Sequence, residues 1–354
     1  MIILHNIRGS IPMEPSHEVY SKDSIHLFND DVLNLYDHWP TPLVIVSDGA
    51  YGLRLFDGDP PTAEELPKWY EPHIREWSRK ATPTTTLWFW NREIGWANVH
   101  PLLCKYGWEF VNCHTWDKGI GHIAGNANSK TLRQYPIVTE VCVQYVKKPF
   151  FKINDFDVTI SEWLREEWVR TDLPLSESNK ACEVKNAATR KYLTKDYLFY
   201  PPPPEIFEKM QIYANKFGKS EGKPYFSIDG VNPVSAYEWS KMRAKFYCEQ
   251  GITNVWRLPP LNGKERIKIT KGGKALHPNQ KPLEFMERII KVSSDENDVV
   301  WEPFGGLCTA AIASYNLARE CYAAEINPKL FEASVERLKH HEQKLTRANR
   351  SDPQ

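Results

Sequence analysis

The sequence predicts an α/β protein built on a doubly wound, mostly parallel sheet, with a mainly helical region inserted between its two halves. Three observations predict it. Short apolar runs alternate with stretches of helical period over about residues 24–146 and again after residue 277, the pattern of strand–helix–strand units. Between them, residues 150–276 lose most strand signals, carry four consecutive prolines at 201–204 and are rich in charged helical segments. Finally, two apolar runs, residues 43–46 and 299–301, each lead into an acidic residue and a Gly-containing turn: Asp48-Gly49-Ala50-Tyr51-Gly52 and Glu302-Pro303-Phe304-Gly305-Gly306. Ligands of open α/β sheets sit at such strand ends.

Taken in order, residues 25–28 read as a strand ending at Asn29-Asp30-Asp31, and residues 43–46 as a second. Residues 62–79 have helical spacing, with Leu66, Trp69, Tyr70, Ile74 and Trp77 on one side. Residues 85–90 form a third strand and 94–106 a further helix. The β-branched run 135–145 predicts an edge or hairpin strand. In the middle region, residues 175–193 read as two short helices around a tight turn, capped by Ser176 and Asn186. The second carries Arg190 and Lys191, a candidate helix-turn-helix, although any helical hairpin gives the same pattern. Residues 282–292 predict an amphipathic helix with Leu283, Met286, Ile289 and Ile290 inward. A strand at 299–301, a helix at 309–316 and a strand at 321–324 ending at Glu325 follow. Pro328 then opens a long final helix. The boundaries expected are 1–149, 150–276 and 277–354.

Composition narrows the function. A chain of 354 residues, 41% apolar with 13 Trp and 16 Tyr, can bury a sizeable core. Forty-five basic against 45 acidic residues exclude a general polyanion binder, so any nucleic-acid surface must be a local patch. The seven cysteines are scattered without zinc spacing, which argues for reduced thiols, no metal and a cytoplasmic location. No signal-peptide core or run of transmembrane length is present, so no membrane association is expected.

The chemistry concentrates in the two turns. In the second, glycines let the backbone approach a ligand, and the helix beginning at Thr309 turns its positive end toward it. About 20 residues on, Glu325 can accept both hydrogen bonds of a ribose diol. A GxGxxG pattern is absent, which disfavours a dinucleotide oxidoreductase. A strand-end carboxylate, Glu302, instead suits a cofactor bearing a cationic amine or sulfonium. A plain strand–helix turn with a surface Glu remains the alternative for this segment alone.

His277-Pro278-Asn279-Gln280-Lys281-Pro282, then Glu302-Pro303-Phe304-Gly305-Gly306, then Ala324-Glu325 resemble the C-terminal half of the DNA amino-methyltransferases. These enzymes methylate adenine N6 or cytosine N4 with S-adenosylmethionine. Asp48-Gly49-Ala50-Tyr51 stands where that family has Asp/Ser-Pro-Pro-aromatic. Trp116-Asp117-Lys118 and Thr139-Glu140-Val141 resemble its later strands. The order, catalytic turn first and cofactor turn last, is that of its β class. The resemblance implies a Rossmann-like methyltransferase fold with a target-recognition insertion. It also implies that Phe304, Gly305 and Gly306 line the cofactor pocket, Glu325 holds the ribose, Asp31 approaches the adenine and Lys281 lies near the methionine end. Asp48 and the Gly49 carbonyl would bind the target amine, and Tyr51 would stack on the base. Two departures stand out: Gly49-Ala50 replace both prolines, and Leu307-Cys308 replace a small residue and a glycine.

Asp rather than Ser at position 48 leans toward adenine N6. The DNA patches expected are Arg190, Lys191 and Lys195, and the basic stretch carrying Lys264, Arg266, Lys268 and Lys271. The partner is double-stranded DNA, bound by a monomer or homodimer, with a cognate restriction endonuclease as a companion. The rivals are cytosine N4 methylation, a non-catalytic DNA-binding relative, and an RNA or protein methyltransferase.

Overall fold

Strand runs in this chain are apolar on both faces, and both faces are covered. A computed structural model describes residues 18–351, except 57, 124–131, 154–155, 221, 262–264, 270–272 and 278. Contacts divide the chain into two compact units. Among the described residues, 18–147 with 244–351 form the sheet unit, and 148–243 form the other.

The sheet unit begins with β1 (Glu18–Lys22), β2 (Ile25–Asn29) and β3 (Val44–Ser47). Then come α1 (Leu66–Lys80), β4 (Thr86–Asn91), α2 (Glu93–Lys105), β5 (Trp108–Asp117) and β6 (Thr139–Lys147). The 148–243 unit follows with β7 (Phe150–Ile153), β8 (Phe156–Thr159), α3 (Ile160–Val169), α4 (Glu177–Ala181), α5 (Ala187–Tyr192), α6 (Pro204–Phe217) and α7 (Ala236–Ser240). The chain returns to the sheet unit with β9 (Val255–Arg257), α8 (Leu283–Ser293), β10 (Val299–Glu302), α9 (Thr309–Asn316), β11 (Glu320–Ala324) and α10 (Pro328–Ser351).

The nine-stranded sheet has the order β1-β2-β11-β10-β3-β4-β6-β5-β9. Neighbours from β2 through β4 are parallel, while β6 is antiparallel to both β4 and β5. The alternation of side chains splits the core in two. Val44 and Val46 pack with Phe285, Ile289 and Ala310 beneath α8 and α9, whereas Ile45, Leu87 and Phe89 pack with Leu66, Tyr70, Ile74 and Trp77 of α1. Those four α1 side chains are fully buried, and burial of each contributes about 1.5–3 kcal/mol. The sheet is therefore doubly wound, as the two-sided apolar runs predict.

The β-branched run forms the hairpin alternative, Thr139–Lys147, antiparallel to β5 on one side and to β4 on the other. One expectation needs correction. Residues 244–276, grouped with the insertion in the sequence, lie in the sheet unit because β9 adds in parallel to β5.

The 148–243 unit has its own core, in which the Phe207 and Trp239 rings stack at 4.1 Å beside Trp163 and Trp168. Capping boxes start α3 at Thr159/Glu162 and α7 at Ser235/Glu238. The two short helices α4 and α5 form as a hairpin, but neither Ser176 nor Asn186 caps through its side chain. The cap of α5 comes from the first helix instead: Asn179 Oδ1 accepts the Ala188 N–H at 3.0 Å, and its Nδ2 donates to Thr189 Oγ1 at 3.0 Å.

Candidate active site

Four parallel neighbours, β2, β11, β10 and β3, place four acidic residues at or just past their carboxyl ends: Asp31, Glu325, Glu302 and Asp48. Strands lie about 4.8 Å apart, so these acids form one row along the sheet edge.

At the β3 end, Lys281 Nζ donates to both oxygens of Asp48, at 2.7 and 2.9 Å, and to the Asn279 carbonyl at 3.2 Å. The Tyr51 hydroxyl donates to Asp48 Oδ1 at 2.8 Å. The ammonium lies over the rings of Tyr51 and Trp90, at 5.1 and 5.5 Å. Its other carboxylate neighbour is Glu140 Oε2 at 3.5 Å, and Glu140 Oε1 accepts from Lys118 at 2.6 Å. Tyr51, Asp48, Lys281, Glu140 and Lys118 thus form one buried chain of alternating charge. Burial pushes the Lys281 pKa down, but Asp48 and Glu140 outweigh it and hold it above the ordinary value. Burial likewise opposes ionisation of Glu140, and the two lysines more than offset this. Beside this chain lies a cavity of about 230 Å³, lined among others by Trp116, Lys118, Glu140, Arg266 and Asn279.

The backbone of the turn is held separately. The Ala50 carbonyl accepts from Tyr70 Oη at 3.0 Å and Asn91 Nδ2 at 2.9 Å. A Cβ on Gly49 would lie 2.7 Å from Phe304 and 2.9 Å from the Tyr70 hydroxyl. No proline fits there while Phe304 keeps its place, which accounts for one of the two departures. Tyr51 is 2% exposed, so the platform expected for stacking is covered by Lys281. Burial raises its phenol well above the usual value.

At the β10 end the turn is equally tight. Gly305 N–H donates to the Ala324 carbonyl at 2.7 Å, and a Cβ there would meet Cys308 Sγ at 2.8 Å. Gly306 has φ +55°, and its Cβ position faces the His277 ring at 3.4 Å. Glu325 accepts from Gly306 N–H and Asn327 N–H, both at 2.7 Å, and burial raises its pKa. Asn29 Nδ2 donates to the Glu325 carbonyl at 2.7 Å, tying the β2 end to the β11 end. Asp31 caps the short turn 32–34 through the Leu33 N–H at 3.0 Å.

Glu302 is turned onto its own helix: its two oxygens accept the Ala310 and Ala311 N–H groups at 2.9 and 2.8 Å, holding the start of α9. Burial raises its pKa to about 8. Thr309 Oγ1 is bonded to Arg337 at 2.9 Å. Phe304 sits among Trp69, Tyr70, His73 and Trp77 of α1, its ring 4.9 Å from that of His73. Lys281 lies on the Asp48 carboxylate.

The expected DNA residues fall in different units. Arg190, Lys191 and Lys195 are exposed in the 148–243 unit, with Lys195 3.2 Å from Glu166. In the sheet unit, Arg266 is partly buried and Lys268 is exposed, while Lys264 and Lys271 lie outside the described residues, as does Pro278. Gln280 fastens this basic segment, accepting from the Ile267 N–H at 3.0 Å and donating to the Glu265 carbonyl at 2.8 Å. The sequence reading missed Asp59, discussed below, and any role for Lys118 and Glu140. Asp59 had a signal, an Asp within the turn-type run Gly58-Asp59-Pro60-Pro61.

A doubly wound sheet with a carboxylate–aromatic turn and a glycine turn at neighbouring strand ends defines a Rossmann-like transferase of the methyltransferase type. A model of the N6/N4 DNA methylase family matches residues 44–336, and the chain belongs to that family. Its members are enzymes that methylate DNA at adenine N6 or cytosine N4, drawing the methyl group from S-adenosylmethionine. The chain is 23% identical over 339 residues to the type II methyltransferase M.BglII of Bacillus subtilis, covering 94% of this chain and 72% of that protein. It is 38% identical over 91 residues to the type II methyltransferase M.HinfI of Haemophilus influenzae, covering 26% of this chain and 25% of that protein. The crystal structure of an M1.HpyAVI–SAM complex aligns with a TM-score of 0.46 at 15% identity, over 89% of this chain and all of that one. Among the described residues, no helix is long and apolar enough to cross a membrane.

Proposed function

We propose that this DNA methylase is site-specific and acts on adenine N6 of a flipped base, with Asp48, Gly49, Ala50 and Tyr51 as its catalytic turn. The observation that carries the reading is the Asp48 carboxylate, held at a strand end by Lys281 and Tyr51. An exocyclic amine is a poor nucleophile because its lone pair is delocalised into the ring. Hydrogen bonds from the amine to Asp48 and to the Gly49 carbonyl pull the nitrogen toward tetrahedral geometry and localise that pair. Asp48 Oδ1 accepts from both Lys281 and Tyr51, whereas Oδ2 accepts from Lys281 alone among the described residues, so Oδ2 is the oxygen that meets the amine. Asp48 then takes the proton the amine loses. Tyr51 stacks on the base once Lys281 moves off its ring, and the base must leave the duplex to reach it.

Gly305, Gly306 and Glu325 would hold S-adenosylmethionine: the turn closes on Ala324, Cys308 and His277 only because both residues lack a Cβ, and Glu325 stands at the next strand end with its carboxylate on the Gly306 N–H. Asp31 and Phe304 flank this turn, with Glu302 and Thr309 shaping it from behind. When bound, the cofactor supplies a methyl group on a cationic sulfur. The chain's own residues position the acceptor nitrogen for in-line attack, which provides much of the acceleration. Arg190, Lys191 and Lys195, with Lys264, Arg266, Lys268 and Lys271, contact the phosphates, and the 148–243 unit reads the target sequence. The type II relatives support a companion restriction endonuclease, and unpaired cysteines support a cytoplasmic setting.

Mass spectrometry of nucleosides from mixed-sequence duplex DNA, incubated with protein and labelled S-adenosylmethionine, tests this. N6-methyladenine is expected. N4-methylcytosine would overturn the base, and absence of any methylated nucleoside would overturn the reading.

A further inference from the structure

We propose that Asp59 is a positioning residue for methyl transfer, its carboxylate fixing the loop from Tyr51 to Leu55 that follows the unstiffened Gly49-Ala50 step. The proposal rests on the reading of Asp48 and Tyr51 as the catalytic turn.

Asp59 is 7% exposed. Its Oδ1 accepts the backbone N–H groups of Tyr51 and Gly52, at 3.1 and 2.9 Å. Its Oδ2 accepts those of Leu53 and Leu55, at 3.1 and 2.9 Å. Four amides of one five-residue stretch converge on a single side chain, and the Asp59 N–H closes the loop onto the Phe56 carbonyl at 3.1 Å.

Among the described residues, no other group accepts a hydrogen bond from these four amides. Leu53, Leu55 and Phe56 are 43%, 38% and 42% exposed, so burial of their side chains does not fix the loop. Gly49 and Ala50 do not restrict φ as prolines would. Arg54 is left-handed at φ +54°, a conformation that a non-glycine residue keeps only where its surroundings over-determine it. The carboxylate also changes what Asp48 is free to do. Because Asp59 takes the turn's amides, the Asp48 oxygens face side chains only, Lys281 and Tyr51. Asp59 therefore acts through the loop, setting where Tyr51 and the Asp48 carboxylate stand when the target amine arrives.

The test compares the wild-type enzyme with Asp59→Asn and Asp59→Glu by single-turnover methyl transfer to duplex DNA, S-adenosylmethionine affinity, unfolding temperature and hydrogen exchange of residues 51–55. Asp59→Asn turns an NH2 group toward amide donors. It is expected to lose 10- to 100-fold in rate at saturating DNA, to bind cofactor within threefold of wild type, and to exchange the 51–55 amides at least tenfold faster. Asp59→Glu keeps both oxygens on a longer stem and is expected to lose less than tenfold while folding as wild type. A wild-type rate in Asp59→Asn overturns the proposal. So does a parallel fall of rate, cofactor affinity and unfolding temperature in both variants, the mark of a general structural role. A wild-type protein that methylates no DNA, while Asp59→Asn still releases the 51–55 amides, would overturn the proposed function and leave the loop anchor standing.

Discussion

The turns after β3 and β10 occupy equivalent places on adjacent parallel strands, and each begins with an acidic residue, yet they spend that residue in opposite ways. After β10, Glu302 gives both oxygens to backbone amides of α9 and is consumed by the fold. After β3, the amides of the turn are taken by Asp59, and Asp48 is left to meet Lys281 and Tyr51. A buried backbone N–H left without an acceptor costs about 1–3 kcal/mol, so a buried turn will recruit whichever carboxylate is near. In these two turns, the acid left to side-chain partners is the one beside which a second carboxylate takes the backbone amides.

The sharpest way to break that contrast is to neutralise each acid in turn. Asp48→Asn is expected to lower methyl transfer by about 10³-fold, the range of a lost positioned acid–base group, with cofactor affinity kept within a few fold. It also leaves Lys281, 1% exposed, with Glu140 as its remaining carboxylate, so a loss of stability should accompany the loss of rate. Were the rate to fall less than tenfold, the chemistry would belong elsewhere in the buried charge chain, with Glu140 the first place to look.

Glu302→Gln should leave the rate at pH 7 within about fivefold, since Glu302 bonds α9 rather than the Asp48 turn, but the introduced NH2 group would face the Ala310 or Ala311 N–H, so some stability should be lost. The signature lies in stability against pH. A carboxyl raised from 4.5 to about 8 by burial binds more protons folded than unfolded between those values. Its contribution is therefore fully present below pH 4.5 and is lost as pH rises through about 8. Thermal unfolding from pH 5 to 8.5 should show this decline in the wild type and a flatter profile in Glu302→Gln. An unchanged profile would mean that Glu302 is ionised when folded and poised like Asp48, erasing the contrast. Glu140 runs the other way: its lowered pKa gives stability present above pH 4.5 and lost on acidification.

How much of this could be read from sequence follows the same division. Periodicity reveals which residues must be buried, so α9 at Thr309–Asn316 and the inward face of α8 emerge with near-identical bounds. The strand-end row of Asp31, Asp48, Glu302 and Glu325 is also legible, because position in a strand–turn–helix unit is local. What a carboxylate bonds to is not local. The Lys281–Asp48 pair spans 233 positions and the Lys118–Glu140 pair 22, and no spacing rule distinguishes a ligand-facing Glu302 from one turned onto its own helix. The β6 run has a related limit: its hairpin is legible, but a β-branched strand looks alike at an edge and between two antiparallel partners, so the pairing with β4 is not.

The smallest expected effect concerns the glycine that the β10 turn lacks. Cys308 adopts φ +48°, ψ +52° at the start of α9, a left-handed conformation costing an L-residue about 1–2 kcal/mol relative to glycine. Its side chain is 2% exposed in the core shared with Ala310 and Cys321, and its Sγ fills the space a Cβ on Gly305 would need. Cys308→Gly relieves the backbone but empties that space, so its effect on unfolding free energy should stay within about 1 kcal/mol of zero. Cys308→Val keeps the volume and adds a β-branch where φ is positive, and should destabilise by about 2 kcal/mol or more. If Cys308→Gly instead stabilised strongly, backbone strain rather than packing would dominate this turn, and the two strand ends would then differ in strain as well as in how they spend their acids.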